Sequence, residues 1–172
     1  MIDLPNLNEY RQNVGICLLN KKGRVWFGKR IGIDDAQPSI DHPWQMPQGG
    51  VDKGEEPKDA AIRELYEETG VKTATLLFMT PGWLIYEFPE EYKLRKKRRW
   101  QGQRQKWAVM LFTGKESEIN LTAHGEQEFC DWRWGEVAEL PDLVVPFKKG
   151  VYEELLNCLS PMSDFVRGLS QK

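Results

Sequence analysis

The stretch GGVDKGEEPKDAAIRELYEETGV, Gly49 to Val71, decides how this chain is read. Pro57 suits the first position of a helix and Gly70 is a natural stop at its end. Glu64, Glu67 and Glu68 follow i, i+3, i+4 spacing, so a helix turns them to one face. Each exposed pair of like charges costs about a few tenths of a kcal/mol. A solvated acidic face tolerates that, and so does a site that holds a cation. Ala61 and Leu65 fall on the opposite face and would dock the helix. The Gly49–Gly50 loop before it can bring backbone close to a ligand. Asp52, Glu55 and Glu56 add negative charge. A hard divalent cation with oxygen ligands would neutralise such a cluster, and magnesium is the usual candidate. Magnesium held by a few carboxylates keeps waters and recruits substrate phosphates, which points to phosphoryl chemistry.

The flanking sequence supplies the rest of a domain. Asn13–Asn20 and Arg24–Arg30 are rich in strand formers, and "KKG" between them reads as a hairpin turn. Ile31–Pro43 reads as a polar loop, and "WQMPQGG" as a short strand running into a glycine turn. Lys72–Met79, Trp83–Phe88, Lys106–Gly114 and Phe129–Trp134 read as further strands. Lys93–Gln105 reads as a basic exposed loop. Pro146–Leu159 has helical spacing at Val151, Leu155 and Leu159, and the tail after Pro161 either adds a turn or frays. Strands and helices do not alternate regularly, so the expected class is α+β, or a layered fold with a mixed sheet.

The 172 residues suit a single domain spanning 1–172. At 40% hydrophobic and 11% aromatic residues the composition is globular. A net charge of −2 does not mark a nucleic-acid binder in bulk. Cys17, Cys130 and Cys158 are odd in number and dispersed, which reads as reduced thiols. The start carries no apolar signal core and no segment is long and apolar enough for a membrane span, so the expectation is a soluble, cytoplasmic protein.

The stretch Gly49–Val71 resembles the Nudix box, G-x5-E-x7-R-E-U-x-E-E-x-G-U, with U a bulky apolar residue. Gly49, Glu55, Arg63, Glu64, Leu65, Glu67, Glu68, Gly70 and Val71 fill its fixed positions. The resemblance implies a loop–helix–loop metal site on an α/β/α sandwich with a mixed sheet. The reaction it implies is hydrolysis of a nucleoside diphosphate linked to another group. Glu64, Glu67 and Glu68 would then be metal ligands or a base. Arg63 would orient a glutamate, and Glu55 would act similarly from the loop.

"YRQNVGICLLN", "WLIYEFP", "GQRQKW", "EFCDWRW" and "PFKKGVY" are similar in order and spacing to bacterial RNA pyrophosphohydrolases. They are also similar to plant-type asymmetric diadenosine tetraphosphate hydrolases and to invasion-associated proteins of the same branch. The branch implies that Glu128 completes metal binding, and that Arg11 and Lys106 meet substrate phosphates. It implies that Tyr86 and Phe147 frame a nucleobase, against core packing as the plain alternative. Gln48, Gln103 and Gln105 are lesser candidates for polar contacts.

The loop Ile31–Pro43 is longer than in the shortest members. The basic residues Lys93, Arg95, Lys96, Lys97, Arg98 and Arg99 suit either an RNA backbone or a solvated loop. The expected activity is a magnesium-dependent pyrophosphohydrolase, with manganese or another divalent cation able to substitute. Its substrates would be 5′-triphosphorylated RNA, diadenosine polyphosphates, or both. The alternatives are an enzyme dedicated to the dinucleotide, and a binding module without catalysis. All box glutamates are present, which argues against the last. Whether a partner protein stimulates the activity is left open by the sequence.

Overall fold

The computed structural model describes residues 6–31, 43–96 and 99–169, with the backbone alone for Arg95 and Lys96. In chain order the strands are β1 (Tyr10–Leu19), β2 (Val25–Arg30), β3 (Trp44–Gln45), β4 (Gln48–Gly50), β5 (Ala74–Met79), β6 (Leu84–Glu87), β7 (Gly102–Phe112) and β8 (Phe129–Gly135). The helices are α1 (Pro57–Thr69), α2 (Glu90–Lys96), α3 (Leu140–Leu143) and α4 (Lys149–Leu169).

β1 and β7 lie parallel at the centre, in register from Tyr10 opposite Gly102 to Leu19 opposite Leu111. Their neighbours run antiparallel: β2 and β4 against β1, β5 and β6 against β7, β3 and β8 against β2. The sheet is therefore mixed. Both faces of its centre are covered, because the near-continuous apolar run of β1 offers side chains to each. Cys17, Leu19, Trp107 and Val109 pack with Val151, Tyr152, Leu155 and Leu159 of α4. Val14, Ile16, Ala108 and Met110 pack on the other face with Ala60, Ala61 and Leu65 of α1. The result is the α/β/α sandwich the sequence led us to expect.

Pro57 opens α1, and Gly70 closes it in the left-handed region at φ +74°, its N–H donating to the Tyr66 carbonyl. The turn between β1 and β2 closes with Gly23 at φ +70°. Among the described residues no helix is long and apolar enough to cross a membrane. The three cysteines are unpaired, Cys17 buried and the others exposed.

Three expectations change. The stretch Lys93–Gln105 is not one loop: α2 covers Glu90–Lys96 and β7 begins at Gly102, with residues 97–98 outside the described residues. Its polar letters hid a strand that pairs on both sides, with β1 and β6. After Pro161 the helix continues for more than one turn, with residues 170–172 outside the described residues. α4 runs on to Leu169 because Ser163 and Val166 are buried and the Ser163 hydroxyl donates to the Gly23 carbonyl at 2.6 Å. The "WQMPQGG" segment forms β3 and β4 rather than one strand. Of the Ile31–Pro43 loop, residues 32–42 lie outside the described residues.

Gly15 and Trp107 face each other across the parallel pair. A Cβ on Gly15 would stand 2.5 Å from the indole ring. Trp107 is fully buried and has nowhere to go. Gly15→Val is expected to destabilise the fold by about 1–3 kcal/mol through overpacking, read as a lowered urea midpoint. A wild-type midpoint would show that this pair does not set the packing at the centre of the sheet.

Candidate active site

A cavity of about 400 Å³ opens at one end of the central strands. Arg11 and Asn13 of β1, the three residues of β4, Gln103 of β7 and Tyr86 of β6 line it. Glu64 and Glu68 reach it from α1, and Glu128 from just before β8. Phe88, Tyr92, Phe147 and Lys148 contribute an aromatic and basic wall. The ring centroids of Tyr86 and Phe147 are 5.7 Å apart, and those of Tyr92 and Phe147 are 5.9 Å apart.

Arg63 organises the acidic side. Its Nε and Nη2 donate to the two oxygens of Glu55 at 2.8 and 2.9 Å. Its Nη1 donates to Glu64 Oε1 at 2.8 Å and to Glu67 Oε2 at 3.1 Å. Nη2 also donates to the Gly50 carbonyl at 2.9 Å. The fork of Arg63 thus joins the loop to the helix, which a lysine's point charge could not do. The guanidinium beside Glu55 holds that carboxyl down at about 2, helped by the Asp52 N–H. Gly49 is needed for a simpler reason: a Cβ there would stand 1.8 Å from the Glu64 carboxyl carbon.

Glu68 is in a different state. It is 7% exposed, and the backbone N–H of Gln48 donates to its Oε2 at 3.1 Å. Burial pushes its carboxyl well up from the usual range, and the charges of Glu128 and Glu64 push it further. Glu64 is also shifted upward by burial, against the pull of Arg63. Across the cavity Arg30 Nη2 lies 3.0 Å from Glu128 Oε2.

Among the described residues no three of His, Cys, Asp or Glu converge as a closed metal cage. Glu64 and Glu67 are turned onto Arg63, and Glu128 onto Arg30. The donor set still fits a hard cation. Burial and two neighbouring carboxylates outweigh the relief that the Gln48 N–H and the charge of Arg30 give Glu68, and oxygen donors suit a hard divalent ion.

The expected residues take different places about the cavity. Glu64, Glu68, Glu128, Arg11, Tyr86, Phe147, Gln48 and Gln103 share the cavity. Glu55, Arg63 and Glu67 stand behind it. Gln105 is fully buried beneath the floor. Lys106 does not line the cavity: β7 alternates, and Lys106 turns to the face opposite Gln103 and Gln105. Its Nζ donates to the carbonyls of Pro81 at 2.8 Å and Thr80 at 3.3 Å, over the Trp83 ring. Tyr86 packs against Phe88 and also lines the cavity.

Sequence reasoning passed over Arg30, Asn13, Tyr92 and Lys148. Arg30 ends a strand whose partner, Glu128, is distant in sequence, and no local pattern marks such a pair. Lys148 and Tyr92 had a signal: each lies close in sequence to an aromatic already in view.

Glu68 costs the fold stability while it is charged and uncompensated. With a chelator present, Glu68→Gln is expected to be more stable than wild type by about 1–2 kcal/mol at neutral pH. The sign follows from the raised carboxyl: the folded state binds this proton more tightly than the unfolded chain. The difference should therefore be largest at high pH and shrink as pH falls toward 4.5, the ordinary carboxyl value. Thermal melts across pH test it, and a less stable variant would mean that Glu68 is not an electrostatic burden. Arg63→Lys is expected to lower stability by about 1–3 kcal/mol, because the Glu55 and Gly50 acceptors lose charged donors.

Comparison with known proteins agrees with this geometry. The NUDIX domain model matches residues 9–155. An RNA pyrophosphohydrolase of Caulobacter vibrioides is 48% identical over 162 residues, covering 93% of this chain and 90% of its own. An RNA pyrophosphohydrolase of Rhodospirillum rubrum is 50% identical over 149 residues, covering 86% of this chain and 85% of its own. Nudix hydrolase 26, chloroplastic, of Arabidopsis thaliana is 43% identical, covering 88% of this chain and 69% of its own. A solved Ap4A hydrolase of C. elegans, in a binary complex, shares the fold at TM-score 0.61 and 20% identity, covering 92% of this chain and 98% of its own. With the box, the sandwich and the carboxylate cavity in one place, the chain belongs to the Nudix family and is a hydrolase of pyrophosphate bonds.

Proposed function

We propose that the chain hydrolyses the polyphosphate end of a nucleotide, removing pyrophosphate from 5′-triphosphorylated RNA and cleaving diadenosine polyphosphates. One observation carries this reading: a single cavity joins a carboxylate group, Glu64, Glu68 and Glu128, to an aromatic group, Tyr86, Tyr92 and Phe147. A substrate with a nucleoside at one end and anhydride phosphates at the other spans both. The names of the relatives support RNA; the alternative is an enzyme dedicated to the dinucleotide.

Nudix hydrolases use divalent cations, and magnesium is our choice, with manganese able to replace it. Glu64, Glu67, Glu68 and Glu128 would hold the cation. When bound, it supplies charge for the phosphate oxygens and lowers the proton affinity of water. Arg63 keeps Glu64 and Glu67 within reach of one another. Glu64 and Glu68, both shifted upward by burial, are suited to take a proton from the attacking water. That water's oxygen bonds to phosphorus as a bridging P–O bond breaks. The products are pyrophosphate and a 5′-monophosphorylated RNA, or two mononucleotides of unequal phosphate number. Arg11 counters the charge of the departing phosphates. Lys106 would have to leave the Thr80 and Pro81 carbonyls to join it. Tyr86 and Phe147 would frame the base, with Gln48 and Gln103 as polar contacts. The unpaired cysteines are in keeping with a cytoplasmic setting.

The test offers a short triphosphorylated RNA and diadenosine tetraphosphate side by side with magnesium, and resolves the products by ion exchange. Turnover of RNA with release of pyrophosphate is expected. A chelator should abolish it, and Glu68→Gln should lower it at least about a hundredfold. Turnover of the dinucleotide alone would select the dedicated alternative. No turnover of either substrate, with magnesium or manganese, would overturn the reading.

A further inference from the structure

Gln105 and Trp107 are fully buried on the same face of β7, and neither lines the cavity. An indole nitrogen can only donate. Trp107 Nε1–H meets Gln105 Oε1 at 3.3 Å. The reversed amide would set two donors against each other in a fully buried position, at a cost of about 1–3 kcal/mol. The indole therefore fixes which end of Gln105 faces the cavity floor.

Gln105 Nε2 then donates toward Asn13 Oδ1 at 3.2 Å, Gln103 Oε1 at 3.2 Å and Gln48 Oε1 at 3.3 Å. An NH2 group has fewer hydrogens than these acceptors, so its donation is shared. Each of the three amides turns its oxygen toward Gln105 and so its nitrogen away from it. The Tyr86 hydroxyl donates to Gln103 Oε1 at 2.7 Å and holds that amide further. Gln48 Nε2 reaches Gln45 Oε1 at 3.4 Å. Asn13 Nδ2 and Gln103 Nε2 have no acceptor among the described residues, and neither is a sealed, unpaired atom. Asn13, Gln48 and Gln103 all line the cavity beside Arg11.

We infer that this floor is a donor-only strip for the non-bridging oxygens of the substrate's phosphate chain, and that Trp107, acting through Gln105, sets its polarity from behind. The inference rests on the reading that the substrate carries a polyphosphate. The strip runs from Gln48, whose backbone serves Glu68, to Gln103, which Tyr86 holds. A phosphate chain that joins the carboxylates to a stacked base crosses it. Phosphate oxygens only accept, so the nitrogens of Asn13 and Gln103, with the second hydrogen of Gln48 Nε2, suit them, and carbonyls in their place would repel them. Trp107 and Gln105 are positioning residues, since they touch the amides and not the substrate.

Inorganic tripolyphosphate is the probe, titrated calorimetrically in calcium buffer, with adenosine as a control for the aromatic wall. Gln105→Met and Trp107→Phe are each expected to weaken tripolyphosphate binding tenfold or more and to leave adenosine binding unchanged. The double variant should lose no more than either single one, because both act through one contact. In the unmodified protein, the side-chain NH2 resonances of Asn13, Gln48 and Gln103 should shift on adding tripolyphosphate. This second measurement needs no variant, and stands if either substitution unfolds the chain. Unmoved resonances, unweakened variants, or equal loss of adenosine binding would overturn the strip. A wild-type protein that passes these tests but hydrolyses neither RNA nor dinucleotide would sink the substrate reading and leave the strip standing.

Discussion

The guanidinium of Arg63 is the constraint on which the acidic side of this molecule depends. Its donors are shared among Glu55, Glu64, Glu67 and the Gly50 carbonyl. These groups come from the end of β4, the loop before α1 and α1 itself, and like charge would otherwise drive the three carboxylates apart. A planar fork can serve several acceptors at fixed angles, which makes a stable arrangement out of a repulsive one. Gly49 completes it by leaving room for Glu64. Glu68 is left outside this arrangement, buried and facing Glu64 and Glu128, and so carries the tension that a cation would relieve.

The sheet serves two purposes along its length. Toward their C-terminal ends β1 and β7 carry apolar residues on both faces, and these build the cores against α1 and α4. Toward their N-terminal ends the same strands change to Arg11, Asn13, Gln103 and Gln105. The change from apolar to polar within a strand opens the cavity, because amides hold one another by hydrogen bonds where aliphatic side chains would have filled the space. The rigid half fixes the register of the other: Gly15 against Trp107 sets the point from which Asn13 and Gln105 find each other.

What the sequence disclosed follows from distance along the chain. The box was legible because its residues act within one loop and one helix, where i, i+3 and i+4 spacing means proximity. The docking of Ala61 and Leu65 was legible for the same reason, and both are buried. The start of β7 was not, since a strand made of Gly102, Gln103, Arg104 and Gln105 lacks strand formers and holds its place through pairing on both edges. The pairing of Arg30 with Glu128 was illegible as well, being a contact between distant segments. Lys106 shows the remaining gap: a position can match a family pattern while strand alternation turns the side chain to the other face.

The bond between the Ser163 hydroxyl and the Gly23 carbonyl joins the last helix to the first hairpin. It spans 140 positions of sequence. A Cβ on Gly23 would stand 2.5 Å from the Ser163 carbonyl oxygen, so the two backbones meet with no side chain between them. During synthesis the first hairpin leaves the ribosome long before Ser163 exists. Until then its turn lacks a neighbour, and one apolar face of β1 waits for α4. The α4 face of the sandwich therefore closes late, and the nascent chain carries exposed strand surface on that side until α4 emerges, the condition in which a chaperone has most to hold.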